Sequence, residues 1–132
     1  MRRINLIKLI LPILFILTVS SIANAQYKGP GPTDKTYTVK EIIDNASYLD
    51  RTDAIVKVQG YIIKQINSDK YEFRDQTGTI RVEIDKKRMP NTTFDEKTEL
   101  ILIGEVDKDL FEAVEIEVKK IEFVVPDSKN SD

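Results

Sequence analysis

Carboxylates, amines, guanidinium groups and tyrosine hydroxyls are the only titratable side chains in this sequence, because it holds no His and no Cys. That excludes a Ser-His-Asp or Cys-His nucleophile pair, thiol redox chemistry and a zinc site built from nitrogen or sulfur ligands. Glu105, Asp107 and Asp109, with Lys108 between the last two, gather oxygen ligands of the kind a divalent cation takes. Two or three carboxylates fall short of such a coordination shell, whereas Asp suits a hairpin turn through its own side-chain hydrogen bonds. A turn is therefore the expected role of Asp107-Lys108-Asp109, and Asp75 ahead of Gln76-Thr77-Gly78 is read the same way. Lys86-Lys87-Arg88 is the one basic run after the N-terminal segment. It could meet a phosphate or an acidic headgroup, but three charges on an acidic domain make a local patch and no long-range field. A hydrolase using Asp75, Asp85 or Asp107 as a pair would need carboxylates roughly 5–9 Å apart, which the sequence does not fix. The expectation is no catalytic residue, no cofactor and no metal.

The elements that would position these residues follow from periodicity. Thr38-Val39-Lys40-Glu41 has the Thr-x-x-Glu spacing of a capping box, and Val39, Ile42, Ile43, Ala46 and Leu49 follow at steps of three and four, which predicts one helix over about 38–49. After Asp53 the period becomes two. A first strand is expected over about 54–66 around Gly60, a second over 71–75 and a third over 79–85 with Ile80, Val82 and Ile84 on one face. A long connection over 86–96 precedes a fourth strand from Thr98 to Val106 around Gly104. The turn 107–109 then leads to a fifth strand over about 110–124 that buries Val114, Ile116 and Val118. A three-strand meander, a long connection and a final hairpin, with a glycine inside two strands, describe a closed barrel better than a sandwich, since mid-strand Gly lets a long strand turn a corner. The fold class is all-β, a small five-stranded OB-fold barrel with one N-terminal α-helix before its first strand.

The N-terminal segment carries an address. Arg2, Arg3 and Lys8 precede the apolar run 9–19, and Ala23-Asn24-Ala25 supplies small residues before a cut, so residues 1–25 read as a secretory signal peptide cleaved before Gln26. The run is shorter than the ~20 residues of a spanning helix and contains Pro12, so no membrane span is expected after cleavage. Residues 26–37 form a Gly/Pro lead-in, 38–125 the barrel and 126–132 a polar tail. Of 20 basic residues, cleavage removes three and no acid; 17 against 22 acidic leave a net charge of −5. Such a domain suits a cationic partner and lacks the basic face and aromatic platforms that nucleic acid needs.

Tyr71-x-Phe73-x-Asp75-x-x-Gly78-Thr79-Ile80-x-Val82-x-Ile84-Asp85, then Gly104-Glu105-Val106-Asp107-Lys108-Asp109, then Val114-Glu115-Ile116-x-Val118 resemble the signature of the YgiW/YdeI-type bacterial OB-fold family of periplasmic stress-tolerance proteins. Tyr27-Lys28-Gly29-Pro30 is similar to a Gly-Pro motif the family carries after its signal peptide, and Met89 stands where the family commonly has Trp. The resemblance implies an exported OB-fold that acts in tolerance of envelope stress, with no established catalysis or cofactor.

Two binding surfaces are expected. Ile101 and Ile103 fall on the outward parity of the fourth strand, either beneath the helix or as an apolar patch rimmed by Glu115, Glu117 and Glu122. That patch would receive an envelope protein or cationic peptide, and it is the leading expectation. The alternative is a small ligand or oligosaccharide on the face of the first three strands, touching Arg74, Arg81, Asp85 and Arg88 and the loop Asp107, Lys108, Asp109.

Overall fold

The structure, a computed structural model, describes residues 35–126. The expected signal peptide, most of the lead-in and the tail beyond Pro126 lie outside them. The end of the lead-in forms a short strand, β1 (Thr36–Tyr37), parallel to the strand that starts the barrel. Thr38 then closes the predicted capping box: its hydroxyl accepts the Glu41 N–H at 3.1 Å, and the Glu41 carboxylate accepts the Thr38 N–H at 2.8 Å. The single helix expected over 38–49 is two successive short ones, α1 (Val39–Asp44) and α2 (Ala46–Arg51). They part at Asn45, whose side-chain amide donates back to the Glu41 carbonyl, a local bond that competes with helix continuation. The apolar spacing survives the break, so Val39, Ile42, Ala46 and Leu49 all join the core.

β2 (Ile55–Gln65) is the spine of the barrel. Its first half pairs antiparallel with β5 (Leu100–Asp107), from Ile55 opposite Glu105 to Gly60 opposite Leu100. Its second half pairs with β3 (Lys70–Arg74), beginning at Tyr61 opposite Arg74. The change of partner falls at Gly60, where a Cβ would run into the Arg74 carbonyl oxygen. β3 pairs with β4 (Thr79–Glu83), β4 runs parallel to β6 (Glu115–Phe123), and β6 pairs with β5, which closes the ring back onto β2. At the second corner a Cβ on Gly104 would meet the Glu117 carbonyl oxygen, beside a register shift between Ile103 and Gly104. Both mid-strand glycines therefore make the close backbone approaches that barrel closure requires.

Phe73, Leu100, Leu102, Ile84 and Ile116 fill the interior and α1 and α2 contribute to the same cluster. Ile80, Val82 and Ile84 are all buried, in agreement with the predicted parity of the third strand. The fifth strand starts later than expected. Residues 108–114 form a loop rather than a tight turn, and Leu110 and Phe111 stand 93% and 98% exposed. Ile66, inside the span expected for the first strand, lies beyond the end of β2 and is exposed. Among the described residues no helix is long and apolar enough to cross a membrane.

Candidate functional site

A cleft of about 490 Å³ opens where β1 ends and β3 begins to pair with β2. Its walls include Tyr37, Gln59, Tyr61, Arg74, Thr77 and Glu99. The local order comes from Asp75. Its Oδ2 accepts the Val39 N–H at 2.8 Å, and its Oδ1 accepts the Thr77 hydroxyl at 2.6 Å and the N–H groups of Thr77 and Gly78 at 2.7 and 3.1 Å. One carboxylate thus clamps the start of α1 to the β3–β4 turn; the turn role was expected, and the contact with the helix is additional. Burial opposes ionisation of Asp75, but the bonds from Thr77, Val39 and Gly78 outweigh it and hold its pKa below the ordinary carboxylate range. Across the cleft the Gln59 amide donates to Glu99 at 2.7 Å, and the Lys35 ammonium sits 4.5 Å from the centre of the Tyr37 ring. Arg74 is exposed, and its guanidinium has no ion-pair or hydrogen-bond partner among the described residues.

Arg81 is placed differently. It shares the Oε1 of Glu115 with Lys70, at 3.3 and 2.8 Å. Glu115 is only 6% exposed, so it is no rim residue: its outward position on β6 is covered by the two long cations paired to it. That corrects the acidic-rim expectation for Glu115. Glu117 stays exposed but is bonded by Lys119 at 2.8 Å, and Glu122 by Lys120 at 2.8 Å. The Lys120 bond and its positive charge hold Glu122 below the ordinary range. Ile101 and Ile103 are half-buried, in register with Gln59 and Lys57 on one side and Glu122 and Lys120 on the other. The surface around them carries the cations Lys57 and Lys120 as well as the anion Glu122.

The remaining candidates are scattered. The Asp85 carboxylate accepts the Lys87 N–H at 3.1 Å and caps the single 3-10 turn Lys86–Arg88. Arg88 lines a small hollow of about 160 Å³ with Glu83, Glu117 and Lys119, where charges of both signs meet. Asp107 ends β5, and Lys108 and Asp109 open the 108–114 connection, with the Lys108 ammonium donating to the Ser47 hydroxyl at 2.7 Å. Burial, then the negative charges of Asp109 and Asp50, push the Asp107 carboxyl up. Glu83 is raised by burial and by Asp69. Among the described residues no three carboxylates are arranged to hold a metal ion. Tyr37, Tyr61 and Glu99 were not singled out by the sequence: Tyr37 fell in the lead-in, and Tyr61 sits beside the glycine at which the strand changes partner.

The model of the bacterial OB fold (BOF) protein family matches residues 18–123. The calcium-regulated OB-fold protein CarO of Pseudomonas aeruginosa is 44% identical over 100 residues, 76% of this chain and 81% of that protein. The protein YgiW of Escherichia coli K12 is 43% identical over 84 residues, covering 64% of this chain and 63% of its own length. The solved structure of the hypothetical protein ygiW from E. coli superposes with a TM-score of 0.62 at 40% identity, covering 75% of this chain and all of that one. Fold, motifs and relatives agree, and the chain belongs to the bacterial OB-fold family.

Proposed function

We propose that this is an exported, non-catalytic binding protein of the periplasm that serves envelope stress tolerance and takes a small polar ligand or oligosaccharide in the cleft between β1, β2 and β3. The observation that carries the reading is Arg74, an exposed guanidinium with no partner among the described residues, on the wall of a cleft that also offers Gln59 and two tyrosines. A free guanidinium recognises a carboxylate or phosphate through two parallel bonds. Aromatic and amide groups beside charged ones are the composition of a site for a polar ligand. Export and the stress role rest on the N-terminal sequence and on the family resemblance. The cationic-partner reading at Ile101, Ile103, Glu115 and Glu117 has less support, because the charges there are matched by Lys57, Lys70, Arg81, Lys119 and Lys120.

Calorimetric titration with an acidic cell-wall oligosaccharide tests this. Arg74→Gln is expected to weaken binding about tenfold, the loss of one charge-assisted contact, while Arg81→Gln leaves it unchanged. Equal losses from both substitutions would place the ligand on the broader outer face, and no effect from Arg74→Gln would refute the cleft.

A further inference from the structure

Apart from Val114, which packs against the core, the connection between β5 and β6 takes no part in the core or the cleft. It presents two adjacent large apolar side chains, Leu110 and Phe111, which are 93% and 98% exposed, starting three residues beyond the end of β5 at Asp107. Isolated apolar residues on a surface are ordinary; a nearly fully exposed Leu-Phe pair at a loop tip is the form that anchors of protein interfaces take. The surroundings of the pair have a sign. Asp107, Asp109 and Glu112 carry no ion pair among the described residues, and Asp50 at the end of α2 accepts the Lys108 N–H at 3.4 Å, so its charge lies beside theirs. Of the cations around the loop, the Lys108 ammonium donates to the Ser47 hydroxyl and Lys70 pairs with Glu115. We propose that the loop 108–114 docks a cationic amphipathic peptide segment, whose apolar side chains cover Leu110 and Phe111 while its lysines or arginines pair with Asp50, Asp107, Asp109 and Glu112.

Charge selects this occupant. An anionic bilayer would be repelled by four carboxylates around the two apolar residues, and a second copy would bring the same four carboxylates against the first. A cationic segment removes both penalties and gains attraction that steers its approach. The surface is separate from the cleft and does not depend on the ligand reading given for it.

The test is a titration of the protein with a synthetic amphipathic peptide of Leu and Lys, read by fluorescence anisotropy and by amide chemical shifts. Shifts are expected in 107–114 and 50–53, with affinity falling as salt rises. Leu110→Ser with Phe111→Ser should weaken binding by about tenfold or more, as loss of an apolar anchor does. Asp109→Asn with Glu112→Gln should flatten the salt dependence. Both double variants are expected to keep the thermal midpoint of the parent, since neither touches the core. Undiminished affinity in both variants, a shift map centred on 36–38, 59–61 and 74–77, or equal binding of a Leu/Glu counterpart would overturn the proposal. So would partition of the protein onto phosphatidylglycerol vesicles, or a concentration-dependent dimer that Leu110→Ser with Phe111→Ser abolishes.

Discussion

Asp75 and Asp107 sit in opposite settings, and the contrast organises the molecule. Asp75 receives four hydrogen bonds from a helix start and a turn, and its negative charge is wanted there. Asp107 gathers like charges from Asp109 and Asp50, and its carboxyl is pushed up. The first end of the barrel has spent its polar groups on holding the fold together, leaving Arg74 free in the cleft beside it. The second leaves carboxylates and two apolar side chains facing outward. A region whose groups satisfy one another stabilises the fold, and a region whose groups do not is held in place by the rest.

Two phenylalanines give the largest expected difference between core and loop. Phe73→Ala should cost about 3–5 kcal/mol in chemical denaturation, the usual loss for emptying a packed aromatic site. Phe111→Ala should stay within about 0.5 kcal/mol, as exposed substitutions do. A large loss at Phe111 would mean that the loop packs against something and would remove the contrast. The next effect down is at the clamp. Asp75→Ala leaves the Val39, Thr77 and Gly78 N–H groups without their acceptor and should cost about 2 kcal/mol. Hydrogen exchange at those amides would show whether the helix start and the turn loosen together.

Glu115→Gln should lower the thermal midpoint by less than Asp75→Ala, because Lys70 and Arg81 reach water once released. The same variant sharpens the ligand reading. If Arg81, once freed, strengthens binding of an acidic oligosaccharide, the ion cluster rather than the cleft shapes specificity.

The smallest effects are in pH dependence, and their signs oppose. The lowered pKa of Asp75 means that its contribution is present above the unfolded value of 3.8 and is lost as pH falls through the folded one. Asp107 and Glu83 are raised, so the folded state binds their protons more tightly than the unfolded chain and stability grows as pH falls from above their folded values toward 3.8 and 4.5. Asp75→Asn should therefore reduce the loss of stability at the acid end. Asp107→Asn should raise stability near neutral pH and leave that acid loss in place. Denaturant midpoints measured across pH 3–8 would check both.

The barrel was legible in the sequence because its signals are local and redundant. Alternation placed Ile80, Val82, Ile84, Leu100, Leu102, Ile116 and Val118 inward, the capping box placed the helix start, and Gly60 and Gly104 marked the corners. The errors fall where a side chain finds a partner far along the chain. Nothing near Glu115 in sequence reveals Lys70, 45 residues away, and a strand-parity argument puts every outward carboxylate on a rim unless that pairing is known. The helix break came from a side-chain bond at Asn45 that apolar spacing cannot report. Leu110 and Phe111 fall inside the span expected for the fifth strand, although two neighbouring large apolar residues break the alternation a half-buried strand requires. The cleft was legible only through Arg74, since Tyr37 reaches it by way of a two-residue strand that no sequence period announces.

Amide chemical-shift mapping of the protein with an acidic cell-wall oligosaccharide tests the ligand reading most directly, with calcium and single-stranded DNA as separate titrations. Shifts are expected at residues 36–38, 59–61 and 74–77 alone with the oligosaccharide, and none of comparable size with the other two. Oligosaccharide shifts centred on Arg81, Glu115 and 107–109, or no shift at the cleft at saturating ligand, would contradict that reading.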